Sequence, residues 1–123
     1  DFTEVMVGWD GGREAARATF DALAVLRTAR RVRLVEIDVA PRGVEPAAEI
    51  AETLAHHGVK TEITHVTSDG MNAGETLLRA AKDHGAGLLV MGAYGHGRFT
   101  EFVFGGATRH VFRNLTAPVL MSH

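Results

Sequence analysis

The chain has no cysteine, which excludes disulfides and any chemistry or metal binding that runs through a thiolate. It has no apolar run approaching the roughly 20 residues a helix needs to cross a bilayer, so no membrane partner is expected. It has no excess of one charge: 13 Lys and Arg stand against 15 Asp and Glu, a formal net charge of −2. That leaves no basic footprint for nucleic acid. There is no Gly-Lys-Ser/Thr phosphate loop with a following acid, and no Ser/His/Asp set in a nucleophile-elbow context. A zinc site is not expected either. His56 and His57 are adjacent and so face apart on a helix, while His65, His84 and His110 are scattered. No signal peptide is visible, because Asp-Phe-Thr-Glu leads straight into a strand pattern. Together with the missing cysteine this points to a cytoplasmic protein. The start without Met suggests a processed product or an excised piece.

What is present is ordinary globular material. The 123 residues, 46% apolar and 23% charged, suit one domain, 1–123, with a substantial core. Strand and helix patterns alternate along it. Residues 5–9 (Val-Met-Val-Gly-Trp) read as a strand ended by Asp10-Gly11-Gly12. Residues 13–28 read as one helix with Ala16, Phe20, Leu23 and Leu26 recurring on its inner face. Residues 32–39 form the second strand, and Pro41, Gly43 and Pro46 mark the loop after it. A helix over 46–57 turns Ile50, Ala51 and Leu54 inward and stops at Gly58. Residues 60–66 alternate as a half-exposed strand does. A third helix over 72–84 stops at Gly85. A buried strand follows at 88–91, then a helix over about 106–114. The last strand is 118–121, where Pro118 suits the start of an edge strand. Such alternation implies α/β architecture: an open parallel five-stranded sheet with helices on both faces. Arginines 13, 17, 27, 30, 31 and 33 crowd the first helix and the turn after it, and Glu45, Glu49 and Glu52 the second; both read as solvated faces before they read as a docking patch.

The richest stretch is 87–106. A buried strand runs into Gly92, then Gly95 and Gly97, an apolar turn over 99–104, and Gly105-Gly106. Glycines at the carboxyl end of a strand let backbone N–H groups approach an anion, and a helix start beyond them adds positive potential. The spacing Gly92-x2-Gly95-x9-Gly105, between this strand and a closing Ala-Pro-Val-Leu-Met, resembles the nucleotide-binding loop of the universal stress protein domain. The likeness covers essentially the whole chain. Its closing segment is most similar to the second half of tandem members of that family.

The resemblance implies a strand order of 3-2-1-4-5, with the reversal between strands 1 and 4. It implies ATP, or AMP or ADP, with or without Mg, as the ligand. Asp10 would take the adenine and ribose side. Ile37 and Met91 would line the base pocket. Gly92, Gly95 and Gly105 would be the phosphate-loop glycines, with Gly97, Gly106 and Ala107 beside the phosphates; His96, inside the loop, either touches a phosphate or is a loop residue exposed to water. It further implies a homodimer, or a pseudo-dimer with a sister domain, through strand 117–121.

The family's common Asp-Gly-Ser near the first strand end reads Asp10-Gly11-Gly12 here, and two features, Gly106 and Trp9, count against binding. ATP-binding members usually place Ser or Thr where this chain has Gly106, and a lost hydroxyl costs about 0.5–1.5 kcal/mol of net hydrogen bonding. Trp9 either stacks on the adenine or fills its space. Asp10 has a second reading as a helix N-cap. Arg98 and Arg109 either reach a phosphate or pair with acids such as Glu101. A phospho-receiver pattern is not met, since Asp10 is alone at the first strand end and Asp69 lies beyond the third strand. The expected function is an adenine-nucleotide-binding stress sensor or adaptor without significant catalysis. The rival is a universal stress protein domain that has lost the nucleotide and serves as a dimerisation scaffold. A slow ATPase ranks third.

Overall fold

Strand β1 (Glu4–Gly8) is buried from Val5 onward, as a central strand with covered faces must be. The structure is a computed structural model and describes residues 3–38, 47–92 and 119–122. After β1 come α1 (Arg13–Asp21), α2 (Leu23–Thr28), β2 (Arg31–Ile37), α3 (Ala48–His56), β3 (Thr61–Val66), α4 (Ala73–Asp83), β4 (Leu88–Gly92) and β5 (Val119–Ser122). The strands form a five-stranded sheet in the order β3-β2-β1-β4-β5, and every pairing is parallel. The architecture and strand order are those expected. The helix expected over 106–114 and the loop at Pro41, Gly43 and Pro46 lie outside the described residues.

Side chains alternate between two cores. Val5, Val7, Val32, Leu34, Leu88 and Val90 point to one face and bury Ala18, Ala22, Leu26, Ile50 and Leu54. Met6, Val35, Ile37, Leu89 and Met91 point to the other and bury Ala73, Leu77, Ala80 and Ala81. Thus α1, α2 and α3 cover one face and α4 the other, which right-handed crossovers require for this order. Edge strand β3 exposes Glu62 and His65 and leaves its other residues half-buried, as expected of a half-exposed strand, although without a strict alternation.

The helix expected over 13–28 is interrupted at Ala22. The Thr19 hydroxyl donates to the Ala15 carbonyl at 2.7 Å, a back-bond that bends helices. The Ala22 N–H is then shared between the carbonyls of Ala18 and Thr19. The inward face also differs from the expected one. Ala15, Ala18 and Thr19 are buried, whereas Phe20 is 41% exposed and meets the His57 ring edge-on. Small residues win the inner face because α1 lies too close to the sheet for a phenyl ring.

The remaining helix ends follow local chemistry. Gly58 and Gly85 take φ of +83° and +66° just after α3 and α4, a conformation glycine adopts without strain. At the start of α4, Asn72 Oδ1 accepts from the Glu75 N–H at 2.8 Å while Glu75 Oε1 accepts from the Asn72 N–H at 3.2 Å. This capping box satisfies two otherwise unpaired donors. Asn72→Ala is expected to lower stability by about 1 kcal/mol, read as a lower urea midpoint with unchanged slope. A wild-type midpoint would mean that water caps this helix equally well. The crowded arginines separate into individual engagements: Arg27 Nε donates to the His57 carbonyl, Arg31 pairs with Glu62, and Arg33 pairs with Glu4 at 3.0 Å.

Candidate functional site

The chain steps from β1 to β2 to β3 in one direction, then returns over β1 to place β4 on its other side. The carboxyl ends of β1 and β4 are therefore where the winding reverses, and a crevice opens there in sheets of this kind. The register sets Val7 beside Val90, so the segments leaving these strands, Gly8-Trp9-Asp10 and Met91-Gly92, are neighbours. The sequence separates them by some 80 positions; the fold brings them side by side.

Asp10 stands at the mouth of this crevice. Its Oδ1 accepts the Gly12 N–H at 2.8 Å, closing a tight turn that takes Gly11 through φ +80°. The N-cap of α1 is Gly12, not Asp10, and it makes no side-chain cap bond. The carboxylate thus shapes the loop from two residues ahead of the helix. A Cβ built at Gly11 would meet no atom of the described residues within 4 Å.

Ile37 and Met91 are 6% and 1% exposed and belong to the same core, on the α4 face. Trp9 packs with the opposite core, on the α1–α3 face. Its indole therefore does not occupy the space beside Ile37 and Met91. Gly92 has a reason for being glycine that its loop position did not suggest. A Cβ there would lie 2.5 Å from the Ala15 N and 2.7 Å from the Glu14 carbonyl carbon. The first turn of α1 rests directly on the end of β4. Gly95, His96, Gly97, Arg98, Gly105, Gly106, Ala107 and Arg109 lie outside the described residues.

The structure adds two residues that sequence reasoning passed over. Asp38, directly after Ile37, takes φ +56°, and its Oδ1 accepts the Ser68 N–H at 2.9 Å. It ties the end of β2 to the loop after β3. An Asp following a strand is the available signal, since Asp tolerates that backbone region and closes such turns. Glu36 is 1% exposed, with Oε1 3.1 Å from His65 Nε2 on the neighbouring strand. Nothing in the strand pattern marks it, because a lone acid in an apolar run reads as an outward residue.

A cavity of about 390 Å³ lies on the α1–α3 face, lined by Trp9, Gly11, Phe20, Glu49, Ile50 and Thr53. It sits across the sheet from Ile37 and Met91. Among the described residues, no helix is long and apolar enough to cross a membrane.

Known proteins share the family pattern and the fold. The model of the universal stress protein family matches residues 36–123. A universal stress protein of Synechocystis is 31% identical over 80 residues, which are 65% of this chain and 27% of that protein. The chain thus spans little more than a quarter of that relative's length. A universal stress protein solved in complex with cAMP superposes with a TM-score of 0.66 at 19% identity, covering 99% of this chain and 97% of that one. A universal stress protein from Archaeoglobus fulgidus gives 0.69 at 18% identity, covering 98% of this chain but 43% of the other. At these identities the structural matches establish the fold.

Proposed function

The chain belongs to the universal stress protein family, and on that premise we propose that it is a stress-response domain that binds an adenine nucleotide and signals through it without turning it over. One observation carries the reading: the turn held by Asp10 and the end of β4 meet where the sheet reverses its winding. Asp10 offers a carboxylate to ribose hydroxyls at the crevice mouth. In our reading Ile37 and Met91, which belong to the core on the α4 face, back the base end of the crevice. The phosphates fall to the glycine-rich segment that Gly92 begins, where backbone N–H groups are the donors in our reading. The related structure that holds cAMP supports an adenine nucleotide as the class of ligand. ATP, with or without magnesium, is the first candidate. The orientation of Trp9 supports binding over a scaffold that has lost it, since the indole packs on the other core.

Hydrolysis needs a group that orients water in line with the γ-phosphate. Asp10 belongs to the ribose end and already holds the Gly12 N–H. We therefore expect occupancy without turnover, with occupancy biasing a surface that a partner or a second copy, joined along β5, would read. Thermal unfolding with and without ATP tests this. A ligand at a hundredfold excess over its Kd adds about 2.7 kcal/mol to the folded state. The melting temperature should rise accordingly, and ATP should be recovered intact after long incubation. No shift at millimolar ATP would remove the nucleotide reading. Steady phosphate release would move the protein to the enzymes.

A further inference from the structure

The cavity on the α1–α3 face has a composition of its own. Trp9 and Phe20 supply two aromatic rings, Ile50 an apolar wall, and Glu49 a carboxylate. Phe20 is the large apolar side chain left exposed among the described residues, and it stands on this rim. Glu49 makes no ion pair among the described residues, while the hydroxyl of Thr53 is turned to the Glu49 carbonyl at 3.1 Å and keeps its oxygen free to accept. A volume of about 390 Å³ is within the range of small-molecule sites. Aromatic faces attract cations, and a carboxylate beside them selects positive charge over negative. We propose that this cavity is a second small-molecule site, separate from the nucleotide crevice, which takes an organic ammonium ion carrying an apolar body. The apolar part lies against Trp9, Phe20 and Ile50, and the ammonium faces Glu49 and the Thr53 hydroxyl.

The chain's single tryptophan lines the cavity, so its emission reports occupancy directly. Phenethylammonium chloride is the probe, and 2-phenylethanol is its neutral counterpart of nearly the same shape. Titration of the whole chain should give a saturable change in Trp9 emission at millimolar probe. The alcohol should bind about three- to tenfold more weakly. Glu49→Gln should erase that difference, whereas Glu52→Gln, on the same helix but 79% exposed and outside the cavity, should retain it. Phe20→Ala should weaken both probes, and its exposure keeps the fold safe from the change. Saturating ATP should leave the probe's affinity unaltered. The proposal is overturned by an unsaturable response, by equal affinity for amine and alcohol, or by an unaltered preference in Glu49→Gln. Competitive displacement by ATP also overturns it, since the cavity would then belong to the nucleotide crevice.

Discussion

Gly92→Val is expected to lose a large share of the stability of the domain. A Cβ at this position lies 2.5 Å from the Ala15 N, 2.7 Å from the Glu14 carbonyl carbon and 2.9 Å from Glu14 Cβ. Two of these atoms are helix backbone, which yields only by moving α1 off the sheet. Overpacking of a well-filled core costs about 1–3 kcal/mol and occasionally more. The first carbon alone is therefore expected to cost about 2–3 kcal/mol in Gly92→Ala, and the two methyls of valine add to that. Against a total of about 5–15 kcal/mol for a domain, this is a large share. Gly8→Ala is the natural comparison. Its Cβ would lie 2.6 Å from Leu77 Cδ1, the movable end of a side chain, so a smaller loss of about 1 kcal/mol is expected. Urea unfolding of the three variants measures the order. A Gly92→Ala midpoint equal to wild type would show that α1 does not rest on β4 as described. Loss of nucleotide binding in Gly92→Val carries no information about phosphates unless the folded fraction is measured alongside it.

That result bears on what the sequence could say. The strand pattern was legible because fully buried parallel strands leave uninterrupted apolar runs, as at Val5 to Val7 and Leu88 to Met91. The strand order came with the family likeness; alternation alone fixes parallel pairing and handedness but not which strand lies where. Gly92 was legible as a glycine that matters, but not why. Its neighbour in space, Ala15, is on a helix far away in sequence, and only the assembled sheet shows the contact. Phe20 was misread for a related reason. Periodicity identifies a helix face but not the depth available beneath it, and α1 approaches too closely for anything larger than Ala or Thr. Trp9 shows the remaining gap. Its position at a strand end placed it near the crevice, and the pleat then turned it to the opposite core from Met91. All of the expected phosphate loop after Gly92 lies outside the described residues, so its part of the site rests on the family pattern.

Asp10→Ala should weaken ATP binding by about 1–3 kcal/mol, or roughly 5- to 150-fold, while the protein stays folded. Two interactions are at stake, and they are separable. The carboxylate holds the Gly12 N–H at 2.8 Å, a half-buried bond whose loss costs about 0.5–1.5 kcal/mol of stability. In our reading the carboxylate also accepts a hydrogen bond from a ribose hydroxyl when nucleotide is bound. Asp10→Asn distinguishes them, because its amide oxygen can still close the turn through Gly11 but the group no longer carries charge. If both roles hold, the Asn variant should melt close to wild type yet bind ATP more weakly, with Ala worse in both respects. Calorimetric titration supplies the affinities and thermal unfolding without ligand supplies the stabilities. Wild-type affinity in both folded variants would confine Asp10 to shaping the turn and move the ribose elsewhere along the crevice. Affinity that falls only in proportion to lost stability would carry the same meaning. An affinity loss in Asp10→Asn without a change in melting temperature is the outcome that places the carboxylate on the nucleotide.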